Sequence, residues 1–466
     1  MRPIRRWSQL VTAFLLLACA SSTERARRAG ALHLHRCVSW ATRELARCGT
    51  IVVPEHRGSV GGRELYLGVM VLPARGATVE PDPLVFFNGG PGISTTAYAA
   101  YASGALDALR GSRDLLLVDM RGTGNDEPLT CDLYENGGRI APYLQPMFPI
   151  ARVRECAARL SRRADLAQYT TEAAAQDFDD VRAALHLGQV NLYGASYGSR
   201  LALAYMREFP SHVRRAALLG VLPPEAPAGR DFGRGVAQAL DADLAECRAS
   251  ARCNSQVPDP RGDIATLLAR LRSAPVEVSL WNWRRLSREH ITLTARAVAE
   301  LLWGETYAPG AILGALPLVH RAVAAGDYAP LARRFVRESR SRRSERREGL
   351  QLSVLCSEDA PRLTAVDAAA DDSSLLGTPV VPELLAACRV WPRGVISPQF
   401  TTPVVSAIPT LLISGGRDPV TPHDLADSAA RTLSRSERYL DSTQGHAALD
   451  DRSRALIADF ISRAPD

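Results

Sequence analysis

Ser196 lies in Gly194-Ala195-Ser196-Tyr197-Gly198, a G-x-S-x-G pattern between an apolar run ending at Tyr193 and a helical run from Arg200 to Phe209. A serine at so sharp a strand-to-helix turn holds its hydroxyl clear of the sheet, and the flanking glycines let backbone approach. Such a serine attacks an acyl carbon only if a base takes its proton and an acid orients the base. Two later residues fit those roles. Asp418, in SGGRDPVTP, stands just past an apolar strand in a turn set by Pro419 and Pro422. His446, in TQGHAALDD, falls in a loop between the last strand and the last helix. His423 is a rival base, but it follows Asp418 at a helix start and reads as a surface histidine. Taken singly, the motif could be an ordinary turn, Asp418 a helix cap and His446 a loop residue. In the order Ser, Asp, His, with both partners at strand ends, they read as a catalytic triad.

Acyl transfer also needs two donors for the oxyanion. The N–H of Tyr197 is one. Asn88-Gly-Gly-Pro-Gly92 follows an early strand and supplies the other through Gly90, where the backbone itself must reach the substrate.

Elements that could position these residues are legible along the chain. PLVFF and RDLLLVD each read as a buried strand running into a glycine loop, and VRRAALLGVLPP as another strand. TTEAAAQDFDDVRAALHLG is an amphipathic helix with Thr171 as N-cap and Gly188 at its end. An early segment, CGTIVVPEHRGSVGGRELYLGVMVLP, reads as a hairpin. From about 226 to 395 the pattern turns helical and irregular; strands then return in IPTLLISGG and SERYLDS before a closing helix. Strands alternating with helices predict an α/β fold, a mostly parallel sheet with helices on both faces and a helical cap insertion; the elbow and the order Ser, Asp, His make it the α/β-hydrolase type. The expected division is 1–18 signal peptide, 19–34 tether, 35–225 first part of the core, 226–395 mainly helical cap and 396–466 the C-terminal part of the core.

The 466 residues are 46% hydrophobic and carry a formal net charge of +6. All 56 basic residues are arginine, which reads as a coding bias more than a binding surface and removes lysine as a base or Schiff-base former. No repeat, Walker loop, G-x-G-x-x-G after a strand or HExxH occurs. Neither cofactor, metal nor nucleic acid is expected. Eight arginines fall between Arg333 and Arg347. They could form a patch for anionic lipid heads or a substrate carboxylate, although such runs usually face water.

The N-terminus reads as an export signal: Arg2, Arg5 and Arg6, then an apolar run from Leu10 to Ala18 too short to span a bilayer. Leu16-Leu17-Ala18-Cys19 resembles a bacterial lipobox, so Cys19 could be lipidated and anchor the chain to a membrane; a plain cleaved signal is the alternative. Eight further cysteines, an even number in an exported chain, favour disulfides. Sequence neighbours suggest Cys37–Cys48, Cys131–Cys156, Cys247–Cys253 and Cys356–Cys388.

GGPG, DMRGTGNDEPLTC, YTTEAAAQDFDDVRAAL before NLYGASYGSRLALAYMREFP, CSEDAPR with CRVWP, SGGRDPVTP and GHAALDD together resemble secreted α/β-hydrolases of the prolyl aminopeptidase and tripeptidyl aminopeptidase type, over roughly residues 37–463. The resemblance implies serine hydrolysis of the bond after one or a few N-terminal residues, with Ser196, Asp418 and His446 as triad and Gly90 with Tyr197 as oxyanion hole. Asn88, Met120 and Leu219 depart from residues common in that group, His, Gln and Asp, which leaves the subtype open.

The expected activity is therefore that of an exported serine aminopeptidase, periplasmic, envelope-bound or secreted, acting on peptides with a free N-terminus. A free ammonium calls for carboxylates near the cleft. Glu358 and Asp359, in LCSEDAP, are candidates with Glu225 behind them, although the same acids could be turn or surface residues. A carboxylesterase or lipase shares the triad and scaffold. A non-catalytic surface lipoprotein would not need the complete triad.

Overall fold

The computed structural model describes residues 32–464 except 58, 60, 125–127, 135–136, 344–345, 373 and 378–379. The expected signal segment, Cys19 and most of the tether lie outside the described residues.

Nine strands form one sheet: β1 (His35–Val38), β2 (Leu45–Pro54), β3 (Glu64–Leu72), β4 (Leu84–Phe87), β5 (Leu115–Val118), β6 (Val190–Ala195), β7 (Val213–Leu219), β10 (Thr410–Gly415) and β11 (Ser436–Asp441). A separate hairpin pairs β8 (Val276–Asn282) with β9 (Ser287–Leu293). The large sheet runs β1-β2-β3-β5-β4-β6-β7-β10-β11. Its first four strands pair antiparallel, and the rest from β5 onward are parallel. This is the α/β-hydrolase architecture that the alternating pattern, the elbow and the order Ser, Asp, His predict. Central strands such as LVFF and LLLV are buried at every position because helices cover both faces, so they show no alternation.

Two apolar clusters sandwich the sheet. One holds Phe87, Phe178, Leu201 and Leu350; the other holds Phe86, Leu117, Ala217 and Phe460. A third, around Leu240, Leu267, Leu302, Leu316 and Phe335, belongs to the insertion between β7 and β10. The insertion does not form a single body. Its later residues, among them Leu350, Val354, Leu384 and Trp391, pack into the first sheet cluster, so the chain returns to the main core well before residue 396.

The described cysteines are joined as Cys37–Cys48, Cys131–Cys156, Cys247–Cys253 and Cys356–Cys388, the neighbour pairing that the sequence suggests. No helix among the described residues is long and apolar enough to cross a membrane.

The DMRGTG segment is a structural joint. Arg121 is fully buried. Its guanidinium grips Asp177 through two bonds of 2.7 and 2.8 Å and donates to the carbonyls of Glu55 and Gln168. Asp119 accepts from Ser94 Oγ and from Thr96 N and Oγ1 at 2.8–3.0 Å, which secures the loop after the Gly-Gly-Pro-Gly segment. Burial raises the Asp119 carboxyl above its ordinary range despite those donors.

Candidate active site

Ser196 follows β6 and stands at the N-cap position of the helix Tyr197–Glu208, with φ 57° and ψ −126°. That left-handed value is strained for a residue with a Cβ. The glycines around it are dictated by close approach. A Cβ on Gly198 would lie 2.0 Å from the Phe87 carbonyl oxygen at the end of β4, and one on Gly194 would lie 2.5 Å from the Gly198 oxygen. Only a helix starting without a side chain there can pass so near the sheet. The Ser196 N–H donates to the Leu219 carbonyl at 2.8 Å, which locks the turn to β7.

Asp418 follows β10 and His446 follows β11, so both side chains leave the same end of the sheet as Ser196. His446 Nε2 is 2.8 Å from Ser196 Oγ, and its Nδ1 is 2.9 Å from both oxygens of Asp418. A carboxylate facing Nδ1 can only accept, so Nδ1 carries the proton and Nε2 is left to receive one. Asp418 is buried. Burial alone would raise its carboxyl, but electrostatic attraction to the His446 imidazole and hydrogen bonds from His446 and Thr421 outweigh that and hold it below its ordinary range.

Several positioning residues were not visible in the sequence. Thr421 donates from Oγ1 to Asp418 Oδ2 at 2.7 Å, and its Oγ1 stands 3.3 Å from His446 Nδ1. The N–H groups of Val420 and Thr421 each donate to Asp418 Oδ1 at 2.8 Å. These three donors come from the DPVT turn, a signal present in sequence but read there only as turn chemistry. Tyr307 belongs to the insertion. Its carbonyl accepts the His446 N–H at 2.9 Å, and its ring meets the imidazole edge-on with centroids 5.3 Å apart. Nothing in the local sequence marks Tyr307.

Gly90 and Tyr197 both border the cavity above Ser196, and among the described residues neither N–H has an acceptor. Gly90 has φ 121°, a conformation that only glycine adopts readily. Beside it, Asn88 Oδ1 accepts from Gly89 N at 2.8 Å, while its Nδ2 is buried without a partner. The Tyr197 side chain is fixed from behind: its O–H donates to Thr171 Oγ1 at 2.6 Å, and Thr171 donates in turn to Glu358 through Oγ1 at 2.7 Å and through its N–H at 2.6 Å.

The cavity has a volume of about 300 Å³. Its walls are mainly apolar, with Phe148, Phe232, Leu222 and Leu384 prominent, and no aspartate or glutamate lines it among the described residues. This corrects the expected ammonium anchors. Glu358 and Asp359 are fully buried behind the helix that follows Ser196. Glu358 is occupied by Thr171. Asp359 Oδ1 accepts from Arg200 Nη1 at 2.8 Å and from Ala228 N at 2.7 Å. Arg200 is four residues past Ser196, so the two acids neutralise a buried guanidinium and brace the helix that follows Ser196. Glu225 does not line the cavity either; its carbonyl accepts from Arg362, and both its carboxylate oxygens are buried without a hydrogen-bond partner. Burial lifts the Glu358 carboxyl to about 7, against the pull of Arg200 and with the push of Asp359.

The α/β hydrolase fold family matches residues 82–453, and the chain belongs to that family. The tripeptidyl aminopeptidase of Streptomyces lividans is 27% identical over 219 residues, 44% of this chain and 41% of that protein. The match therefore spans well under two thirds of that relative's length. The serine protease Hip1 of Mycobacterium tuberculosis (strain ATCC 25618 / H37Rv) is 26% identical over 457 residues, 88% of this chain and 85% of that protein. Among solved structures, proline iminopeptidase from Mycobacterium smegmatis has a TM-score of 0.43 and 16% identity, over 88% of this chain and 97% of the other.

Proposed function

We propose that this chain is an exported serine peptidase that cleaves near a free N-terminus through an acyl-enzyme. The observation that carries the reading is the unbroken hydrogen-bond line from Ser196 through His446 to Asp418 at the floor of an apolar cavity. Ser196 Oγ attacks the scissile carbonyl as His446 Nε2 takes its proton. The Tyr197 and Gly90 N–H groups receive the oxyanion. The C–N bond then breaks, and His446 returns the proton to the departing amine. Water, activated by the same imidazole, hydrolyses the ester to Ser196. Asp418 stabilises the imidazolium at both stages.

The names of the two relatives support a peptide substrate, and that of the Streptomyces protein supports N-terminal release. The cavity constrains how much is released. An ammonium one residue from the scissile bond would enter a space without a carboxylate and lose hydration uncompensated. Each added residue carries it about 3.3–3.6 Å further out. We therefore favour release of a short peptide over a single amino acid. Four disulfides support an exported setting, and Cys19 is the residue through which a lipid anchor would form.

The apolar, acid-free cavity also suits an ester, which is the second reading. A panel of aminoacyl, dipeptidyl and tripeptidyl anilides, free and N-acetylated, beside short-chain esters separates the two. Free di- or tripeptidyl anilides are expected to be the best substrates. Equal cleavage of acetylated peptides, or hydrolysis of esters alone, refutes N-terminal release. Ser196→Ala is expected to lose about four or more powers of ten in kcat. It is also expected to lose fluorophosphonate labelling while keeping its circular dichroism spectrum; retained labelling would place the nucleophile elsewhere.

A further inference from the structure

The arginine-rich run singled out in the sequence comes back to the site. A second cavity, of about 380 Å³, adjoins the first and shares Arg346 with it. Arg284, Arg340, Arg346 and Arg347 line it against two acids, Asp132 and Glu348. Glu348 is spoken for, since it accepts from Cys131 N at 3.1 Å, and burial raises its carboxyl. Among the described residues, Arg340, Arg346 and Arg347 make no ion pair. Arg340 Nε and Nη2 and Arg347 Nε are buried without a hydrogen-bond partner.

Three other buried or half-buried arginines of this chain are paired with carboxylates. Arg334, on the same helix as Arg340, meets both oxygens of Glu305 at 2.8 Å, and Arg200 and Arg121 hold Asp359 and Asp177. Desolvated guanidinium N–H groups without acceptors are costly, and the group that satisfies them best is a planar carboxylate bound through two parallel bonds. The cationic groups are also held in place. Arg340 lies over the Tyr143 ring at 5.2 Å. Arg346 pairs with Ile93 in an antiparallel bridge, and Arg347 N donates to the Gly92 carbonyl at 2.8 Å. The arginine segment is thus built onto the loop that carries Gly90, the proposed oxyanion donor.

We propose that this cavity binds a carboxylate of the peptide substrate, either an acidic side chain or the C-terminal carboxylate, a few residues from the scissile bond. The proposal rests on the peptidase reading and adds a substrate class to it: short or acidic peptides.

The test uses matched quenched-fluorescence peptides with one apolar sequence around the cleaved bond. One arm scans Glu against Gln through the neighbouring positions; the other compares a free C-terminus with its amide. At one position or at the C-terminus, the carboxylate form is expected to be cleaved with roughly tenfold higher kcat/KM, mostly through KM. The arm that responds identifies the source of the carboxylate. Arg340→Gln and, independently, Arg346→Gln are expected to bring that ratio close to one; because the ratio is taken within each enzyme, general losses cancel. A flat ratio in the wild-type enzyme while every peptide is cleaved overturns the carboxylate site and leaves the peptidase reading intact. So does a ratio that survives in either folded variant. Hydrolysis of esters with no cleavage of any peptide overturns both.

Discussion

Asp418 is held by more than His446. Thr421 donates to Asp418 Oδ2 and lies within reach of the imidazole, so it restricts how the carboxylate and ring face each other. Thr421→Val preserves shape and the backbone donors while removing the hydroxyl. A hydrogen bond to a charged group contributes about 1.5–3 kcal/mol, so kcat is expected to fall roughly tenfold or more with little change in KM. Unchanged kcat would show that the backbone donors suffice. Glu358 provides a pH test of the bracing network. Its folded pKa of about 7 lies above the ordinary 4.5. Between those values the folded state holds a proton that the unfolded state has released, so stability declines as pH rises through that window. Below it the carboxyl is neutral in both states. Glu358→Gln mimics the protonated form, so its melting temperature relative to wild type is expected to rise between pH 5 and pH 8. A difference that stays constant with pH would mean that Glu358 does not titrate there.

At the scale of the element, the turn after β6 works because the helix Tyr197–Glu208 begins almost in contact with β4. Gly198 is the point of contact: the Phe87 oxygen and carbon would lie 2.0 and 2.6 Å from an added methyl. Neither atom can retreat, since both belong to the central sheet. Gly198→Ala is expected to destabilise the protein by about 3 kcal/mol and to displace Ser196 from His446. Gly188, where an added methyl would meet nothing within 4 Å, is the control, and Gly188→Ala is expected to be near neutral. Equal denaturant midpoints for the two variants would refute the close-approach argument.

At the scale of the whole molecule, a disulfide within the insertion steadies the part of it that packs on the core. Cys356–Cys388 spans 32 residues and closes the segment whose apolar side chains join the sheet cluster. Glu358 and Asp359 lie two and three residues past Cys356, so the same bridge helps to hold the buried acids against Arg200. In the chain-entropy view, opening a loop of that length costs about 3–4 kcal/mol. The Cys356→Ser, Cys388→Ser double variant is expected to lose stability on that order in equilibrium unfolding and to lose activity with it. Cys247–Cys253 closes only 6 residues within the insertion, and its removal is expected to cost less. The reverse ranking would refute this account.

What the sequence determined alone is what local spacing encodes. The elbow glycines, the order of Ser196, Asp418 and His446, the buried runs of the parallel strands and the pairing of cysteines next in sequence all depend on local spacing, on order along the chain or on where a strand ends. The α/β-hydrolase architecture follows from the alternation of strands and helices together with the elbow and that order. The tertiary structure decided the charges. Glu358 and Asp359 looked available for a substrate ammonium, but Asp359 meets Arg200 across 159 residues and Glu358 meets Thr171 across 187. No local pattern carries such contacts. The arginines of 333–347 looked like a solvated run, yet the fold lays three of them along a cavity beside the Gly90 loop, where Glu348 is engaged elsewhere. Tyr307, which belongs to the insertion, reaches His446 in the C-terminal part of the core. Spacing along the chain sets which groups can do chemistry; burial and pairing between distant segments decide which of the remaining charges are left for a substrate, because a buried ion that has a partner in the core loses much by giving it up.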